Sequence, residues 1–483
     1  MTPQGLLRMT ALLVAALCAH AKTILHISDV HLNITLESIE YGHDTSPRLF
    51  ASALAYAKGV LQDPDLLLYT GDAVAHVKHN ESILAKSVET GFNMVQDSFH
   101  LKNVTAILGN ADCLHDYEFY ITDTEETNPT IGMVDAPWKQ ALSPSHFKEF
   151  DTRGYLWYTI EPKLVLISLN TVPYSIKHSP NTKHLNDPFG QFAWLRATLH
   201  EVEANGSYAY IAGHIPPIID SYGGESQWEL KYLLSYKAIV RDFPSIIKAQ
   251  LFGHVHSVEF RVPVETVVGG SPVGVPLFAS GAISPMFGNN PSFTIWEYNE
   301  DTFDIEDFSV YATNLTTSDA TALAWKKVFS AKAAYNLTTL SSSALHQLTH
   351  RFACSFCPEQ DFITTYLARM KADDNLLNEY YRHSKADSQH LPVCVTTSCL
   401  DRVLCTQIWF DTEDQFLQCV DTRAAERAGI PSWLHPFPHS WVWSFVLWAT
   451  VIAVAGGSAA FFVLRAHRRS KYQTIHGATA FEP

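Results

Sequence analysis

The sequence predicts an α/β layered core, and two observations carry that reading. From Thr23 to about Tyr298, short apolar stretches alternate with longer helical ones, the pattern of sheet covered by helices. Several apolar stretches run straight into a small residue and then a polar one: Ser28-Asp29, Gly71-Asp72, Gly109-Asn110, Gly213-His214 and Gly253-His254. Ligands of open α/β sheets gather at the carboxyl ends of strands, where glycine lets the backbone turn sharply beside a bound group.

In order, the strands are read as Thr23 to Ile27, Asp65 to Tyr69, Thr105 to Leu108, Leu164 to Leu169, Tyr208 to Ile211, Ala249 to Phe252 and Val275 to Ala279. The stretch from Thr122 to Pro144 reads as a surface excursion. Beyond Thr302 the texture turns helical, with Ala320 to Ala334 and Gln360 to Lys371 the best helix candidates. A Pro- and Trp-rich segment, Ile430 to His439, closes that part.

Composition narrows the function. The chain has 483 residues, 47% hydrophobic and 17% charged, which suits a large globular core with an appended module. A net charge of -15 argues against a nucleic-acid-binding surface, which needs clustered Lys and Arg. The 23 histidines point to metal ligation, work at low pH, or both.

Both ends carry membrane-targeting signals. Arg8, the apolar run Met9 to Cys18 and the triplet Ala19-His20-Ala21 have the layout of a cleavable secretory signal over residues 1–21. Trp441 to Leu464 carries no formal charge and is followed by Arg465, Arg468, Arg469 and Lys471, a transmembrane helix with a stop-transfer flank. The expected topology is type I, with a cytoplasmic tail over 465–483 and the rest lumenal or extracellular in the secretory and endolysosomal pathway. In the tail, Tyr472-Gln473-Thr474-Ile475 resembles a signal read by sorting adaptors. Glycosylation is expected at Asn80, Asn103, Asn205, Asn314 and Asn336; the sequon at Asn33 stands close to His31. Cys354, Cys357, Cys394, Cys399, Cys405 and Cys419 are read as disulfide partners in an oxidising lumen, with zinc binding by the cluster as the alternative.

Asp29, His31, Asp72, Asn110, His214, His254 and His256 form a mixed nitrogen and oxygen set suited to borderline divalent ions, zinc first and manganese or iron next. Any one of these pieces is weak. All of them, in order and at strand ends, make a metal centre the expected site.

With these motifs in place, the chain resembles the calcineurin-like metallophosphoesterases, and within them the acid sphingomyelinase-like phosphodiesterases of the branch without a saposin segment. Gly71-Asp72-Ala73-Val74-Ala75-His76, Gly213-His214-Ile215-Pro216-Pro217 and Phe252-Gly253-His254-Val255-His256 carry the resemblance, with Pro392-Val393-Cys394 and Leu404-Cys405 further along. It implies a sandwich of two β-sheets flanked by helices, with a catalytic domain over 22–300 and a helical cysteine-rich module over 301–430, ahead of the membrane helix already read over 441–464. It also implies one ion on Asp29, His31, Asp72 and His256, and a second on Asp72, Asn110, His214 and His254, with Asp72 shared. Such a pair clamps a phosphoryl group and acidifies water for an in-line displacement. The implied substrate is a phosphodiester, a lipid headgroup among the candidates, or a phosphoanhydride. His76 and Asp112 are the implied catalytic groups.

Ala111 departs from that pattern, because most relatives place a histidine there to protonate the departing oxygen. Three readings stay open: a good leaving group such as a phosphoanhydride, as in the related endopolyphosphatases; recruitment of His76, His115 or His43; or a weakened, metal-binding pseudoenzyme. Trp138, Trp157, Tyr174 and Trp228 are either core or the lining of a substrate or lipid surface.

Overall fold

The computed structural model describes residues 21–78, 80–100, 105–263, 267–268, 271–272, 274–316, 323–353, 373–392, 394 and 396–427. Residues 1–20 of the expected signal, Asn103, Cys354, Cys357, the helix expected at Gln360 to Lys371, the span 441–464 and Tyr472 lie outside them. Among the described residues no helix is long and apolar enough to cross a membrane.

In chain order the strands are β1 (Lys22–Ile27), β2 (Leu66–Tyr69), β3 (Leu156–Glu161), β4 (Leu164–Ser168), β5 (Tyr208–Ala212), β6 (Ile247–Phe252), β7 (Glu259–Pro263), β8 (Val267–Val268), β9 (Ser271–Pro272), β10 (Leu277–Ala279), β11 (Ser292–Tyr298), β12 (Ile305–Ala312), β13 (Lys326–Ser330) and β14 (Ile408–Trp409). They form a five-stranded sheet, β13-β12-β11-β1-β2, and a seven-stranded sheet, β14-β7-β10-β6-β5-β4-β3, with β8 and β9 paired apart. Both large sheets are mixed: β1 runs parallel to β2 and antiparallel to β11, while β6 runs parallel to β5 and β10.

Alternation along the strands builds the layers. Leu164 and Leu166 of β4 join a cluster with Leu66, Leu68, Phe278 and Trp296, drawn from both sheets. Val165 and Ile167 point the other way, onto Leu195 and Tyr232 of the helices Gln191–Ala204 and Leu230–Asp242. On the first sheet, Leu25 and Ile27 meet Leu49, Phe50 and Leu54 of the helix Pro47–Val60. Side chains of period two thus fill an inner core and two outer ones. That last helix starts where Ser46 accepts from Leu49 N–H, with Pro47 in its first turn. It stays in place by burying Leu49, Phe50, Ala53, Leu54 and Ala57. Each large one contributes about 1.5–3 kcal/mol, so Phe50→Ala is the change that most loosens it.

Three expectations are corrected here. Thr105 to Leu108 is extended but is no strand of either sheet. Thr105 Oγ1 donates to Leu67 O and accepts from Tyr69 N, so a side chain takes up polar groups of β2 that a neighbouring strand would have paired. Within the described part of the helix expected over Ala320 to Ala334, the chain forms β13 followed by the short helix Ala331–Tyr335; pairing with β12 and burial of Phe329 outweigh the helix propensity of its alanines and lysines. The boundary expected at residue 300 falls between β11 and β12, neighbours in one sheet. One compact unit runs to Phe416, and the described part of a second, 417–427, ends the helix Glu413–Arg427.

Trp138, Tyr174 and Trp228 are buried in the core, and Trp157 is half-buried against it. Trp138 and Ile131 anchor the stretch from Thr122 to Pro144, which packs inward at those residues where a surface excursion was expected. Cys394 and Cys399 form a disulfide, and Cys405 and Cys419 are also disulfide-bonded. Asn80, Asn205 and Asn336 are exposed, whereas Asn33 and Asn314 are half-buried.

Candidate active site

The expected ligands converge where β1, β2, β5 and β6 end. Asp29, His31, Asp72, His254 and His256 all adopt positive φ, between 45° and 72°. Such a backbone costs an ordinary residue on the order of 1–3 kcal/mol and persists only where its surroundings fix it. Here they do. Asp29 N donates to Gly71 O, His31 N to Asp72 O and Leu32 N to Ala73 O, which locks the two strand-end turns together. Glycine is required where these turns touch: a Cβ on Gly109 would lie 2.0 Å from Asp72 Oδ1, and one on Gly253 would lie 2.0 Å from Ser28 Oγ.

Hydrogen bonds set which ring nitrogen faces the centre. His31 Nδ1 bonds Val74 O at 2.9 Å, so it donates there and, the ring being neutral, turns an unprotonated Nε2 inward; His214 Nδ1 likewise donates to Thr70 O at 2.8 Å and leaves its Nε2 facing the Asp72 carboxylate. His254 is reversed: its Nε2 donates to Gln227 Oε1 at 3.0 Å and its Nδ1 faces inward. The inward atoms crowd. His31 Nε2 is 3.1 Å from His256 Nε2 and 3.4 Å from Asp72 Oδ2, and His214 Nε2 is 3.1 Å from both Asp72 Oδ2 and Asn110 Oδ1. His256 Nε2 lies 3.5 Å from Asp29 Oδ1, and its buried Nδ1 has no hydrogen-bond partner among the described residues. Lone pairs converging on lone pairs are unstable without a cation, so the donor set fits the two divalent ions that the sequence implied.

Protonation follows the same crowding. Burial lowers His31 to about 4 and His254 to about 3, and drives His256 well below the usual histidine range. All three are therefore neutral, as ligands must be. Burial also opposes charge on Asp72, but His214 and His31 overcome it and hold the carboxyl below its ordinary range. His214 rises to about 9, because Asp72 outweighs the cost of burial. Asp29 is pushed up to about 7, chiefly by burial.

A buried relay reaches Asp29 from the core. Trp296 Nε1 donates to His26 Nδ1 at 3.3 Å, His26 Nε2 to Thr70 Oγ1 at 3.0 Å, Thr70 Oγ1 to Ser28 Oγ at 2.6 Å, and Ser28 Oγ to Asp29 Oδ2. Burial lowers His26 to about 3, so it stays neutral and passes one hydrogen bond along.

The two expected catalytic groups part company. Asp112 Oδ1 accepts from Ala73 N and Val74 N, and Oδ2 from Asp72 N and Gly109 N. Both oxygens are committed to backbone, so Asp112 shapes the turns and lines neither cleft at the site. His76 stays accessible. Its Nδ1 is 2.7 Å from Asp44 Oδ1, its backbone N–H donates to Asp44 Oδ2, and its ring stacks on His31 at 3.8 Å. Burial disfavours its charge, but the bond to Asp44 prevails and raises its pKa.

A cleft of about 450 Å³ opens over Asp72, Asn110, His254 and His256, with Tyr117, Lys177, Tyr222 and Phe287 on its walls. Tyr222 and Phe287 are each 48% exposed at its rim. Of the alternative donors, His115 lines a neighbouring cleft, and His43 bonds Ser38 and lines neither. Asp44, Asp116, Gln227 and the relay residues His26 and Thr70 were not singled out from the sequence, and Ser28 was read there only as the small residue before Asp29. Asp116 accepts from Asn110 Nδ2 at 2.7 Å and so turns Asn110 Oδ1 inward. No motif or spacing marks any of them.

Residues 22–258 match the family model described as calcineurin-like phosphoesterase. Sphingomyelinase phosphodiesterase D of Dictyostelium discoideum is 29% identical over 58% of this chain and 63% of its own length, so the match spans under two thirds of that relative. Acid sphingomyelinase-like phosphodiesterase 3b of Mus musculus is 24% identical over 76% of this chain and 78% of its own. Cyclic GMP-AMP phosphodiesterase SMPDL3A of Bos taurus is 27% identical over 64% and 70%.

Proposed function

Because the chain belongs, through residues 22–258, to the calcineurin-like phosphoesterases, we propose that it is a metal-dependent phosphodiesterase of the sphingomyelinase-like kind. The observation that carries this reading is the inward crowding of the bare imidazole nitrogens of His31 and His256 with the Asp72 carboxylate, beside an accessible His76–Asp44 pair. Asp29, His31, Asp72 and His256 would hold one ion, and Asp72, Asn110, His214 and His254 the other. When bound, such ions, zinc first among the candidates, neutralise phosphoryl charge and acidify water.

The chain's own residues do the rest. Asp112 and the Asp29 relay fix the turns and the carboxylate before substrate arrives. Tyr222, Phe287 and Tyr117 wall the cleft and orient the substrate. Water adds its oxygen to phosphorus as the P–O bond to the leaving group breaks. His76 Nε2 gives its proton to the departing oxygen, and the proton shed by water passes to solvent. Asp44 holds His76 through Nδ1 so that Nε2 is the face presented.

Ala111 favours a second reading, a phosphoanhydride hydrolase, since an anhydride leaves with less help from an acid than an alkoxide does. A metal-binding pseudoenzyme is the third. The proposal includes secretory entry, glycosylation and anchoring by 441–464, with Tyr472 as an adaptor signal; a glycosidase-sensitive mass and protease protection of the lumenal part would test these.

The deciding experiment compares sphingomyelin, bis-nitrophenyl phosphate, ATP and polyphosphate at acidic pH, using the metal-loaded full chain and its Ala111→His and His76→Gln variants. Diester turnover by the parent, lost in His76→Gln by about a hundredfold where the leaving group is a poor one, supports the proposal. Turnover confined to anhydrides selects the second reading. Activity only in Ala111→His selects the third.

A further inference from the structure

The rim of the main cleft is braced by a turn that lies beyond the family match at residues 22–258. After the helix Asp373–Ser384, Ala386 and Asp387 both adopt positive φ, 52° and 59°. Neither is glycine, and two such residues in succession persist only where their surroundings hold them. Two stretches of the site do so. Val258 N–H, two residues past His256, donates to Ser384 O at 2.9 Å. Asn290 N–H donates to Lys385 O and Asn290 Nδ2 to Ala386 O, while Ser388 Oγ donates to Gly288 O at 2.6 Å. The turn therefore joins the chain behind a candidate ligand to the chain behind Phe287.

Lys385 is the side chain that this turn delivers to the rim. Although a lysine, it is only 6% exposed. Its Nζ donates to Ser257 Oγ and lies 4.2 Å from the centre of the Tyr222 ring. Tyr222 lines the cleft and Lys385 does not, so the ammonium stands behind the ring, on the face turned from the substrate. The surroundings hold the tyrosine there. Asp220 Oδ1 accepts from the N–H groups of Tyr222, Gly223 and Gly224, which fixes the backbone. Next to it, Ser221 Oγ donates to Glu259 Oε1 at 2.5 Å, and Arg261 Nη2 to Glu259 Oε2 at 2.7 Å. Burial opposes charge on Glu259, but Arg261 and then Lys385 keep its carboxyl below the ordinary range. The Tyr222 ring thus rests on a buried cation whose counter-charge is tied to the same loop.

An aromatic face is negative and attracts cations. One face of Tyr222 is already taken. A second cation, on the cleft side, would meet a ring whose attraction is partly spent and a like charge within about 10 Å, buried where water screens it little. A flat, uncharged ring meets neither obstacle and stacks on the open face. We propose that Lys385 is a positioning residue that sets specificity: through Tyr222 it turns the rim against a cationic headgroup and toward a flat, uncharged group on the part of the substrate that stays on phosphorus. This rests on the phosphodiesterase reading above and narrows its substrate class.

Two esters that shed the same nitrophenolate test it: bis-nitrophenyl phosphate, which retains a flat ring, and nitrophenyl phosphorylcholine, which retains a quaternary ammonium. The protein is the zinc-loaded full chain, and Lys385→Gln keeps a donor for Ser257 without the charge. The variant is expected to raise kcat/KM for the choline ester relative to the ring ester by about fivefold, with the change in KM, and Lys385→Arg to restore the parent ratio. On a Tyr222→Leu background the same substitution should move the ratio by less than about twofold, which a general loosening of the fold would not give. A ratio unmoved by Lys385→Gln, or moved equally with and without the tyrosine, overturns the proposal. Should Lys385→Gln not fold, inhibition of bis-nitrophenyl phosphate hydrolysis by tetramethylammonium decides. Equal inhibition of the parent and Tyr222→Leu upholds the proposal, and inhibition weakened about fivefold by loss of the ring overturns it. Should the parent hydrolyse neither ester, the phosphodiesterase reading has failed, and calorimetric binding of phosphocholine and nitrophenyl phosphate to parent and Lys385→Gln decides by the same shift in ratio.

Discussion

The site has two sides built by different means. Its inner wall, Asp29, His31, Asp72 and His214, is buried, strained in backbone at three of those four residues, and tied by hydrogen bonds to groups deeper in the core. Its outer side, His76, Tyr222, Phe287 and the cleft over Ala111, stands open to solvent and is held by loop residues. A wall so constrained suits ligands that must be in place before anything binds. An open side can change with the substrate. The difference separates what the fold fixes from what selects a reaction, and it can be attacked from either side.

The largest effect is expected at the base of the wall. Asp112→Ala strands the amides of Asp72, Ala73, Val74 and Gly109, each costing about 1–3 kcal/mol when buried without a partner. A loss of stability on the order of 4 kcal/mol, together with loss of bound metal, is the predicted outcome of a denaturant titration and a metal assay. Normal stability with reduced turnover would return Asp112 to catalysis.

Next is the outer side. Asp44→Asn weakens the hold on His76 and is expected to cost about tenfold to a hundredfold in kcat for a diester with an alkoxide leaving group. It should cost far less for bis-nitrophenyl phosphate, and metal content should stay at the parent level. Equal losses on both substrates would remove His76 as proton donor.

Then comes the relay. Thr70→Val cuts the hydrogen-bond chain to Asp29 without touching a ligand, and outer partners of ligands are typically worth about tenfold to a hundredfold in metal affinity. Competition with a chelator would measure it. The smallest change is predicted for Gln227→Leu, which frees His254 Nε2: about tenfold weaker metal retention, with KM for bis-nitrophenyl phosphate hardly moved.

The same two sides explain how much could be read beforehand. The wall's candidate ligands sit at or just after strand ends, and a Gly-Asp or Gly-His at such a place is visible in sequence because the turn demands glycine. His26, Ser28 and Thr70 are equally buried, yet each is an ordinary strand or strand-end residue until β1, β2 and β11 are laid side by side. Asp44 and His76 are 32 positions apart and meet only through the loops that follow β1 and β2. The fold shows the same limit. The α/β layering was legible from periodicity, but β13 was not, because Ala and Lys favour helix locally while the exposed edge of β12 decides the matter.

The central claim is that Asp72 joins two ion sites in a working phosphoesterase. The most direct measurement is hydrolysis of bis-nitrophenyl phosphate by the metal-loaded full chain beside Asp72→Ala, with the ions bound per chain counted in both. The predicted result is two ions and turnover in the parent, with fewer ions and activity lower by more than about a thousandfold in the variant. Equal turnover in the two proteins would contradict it.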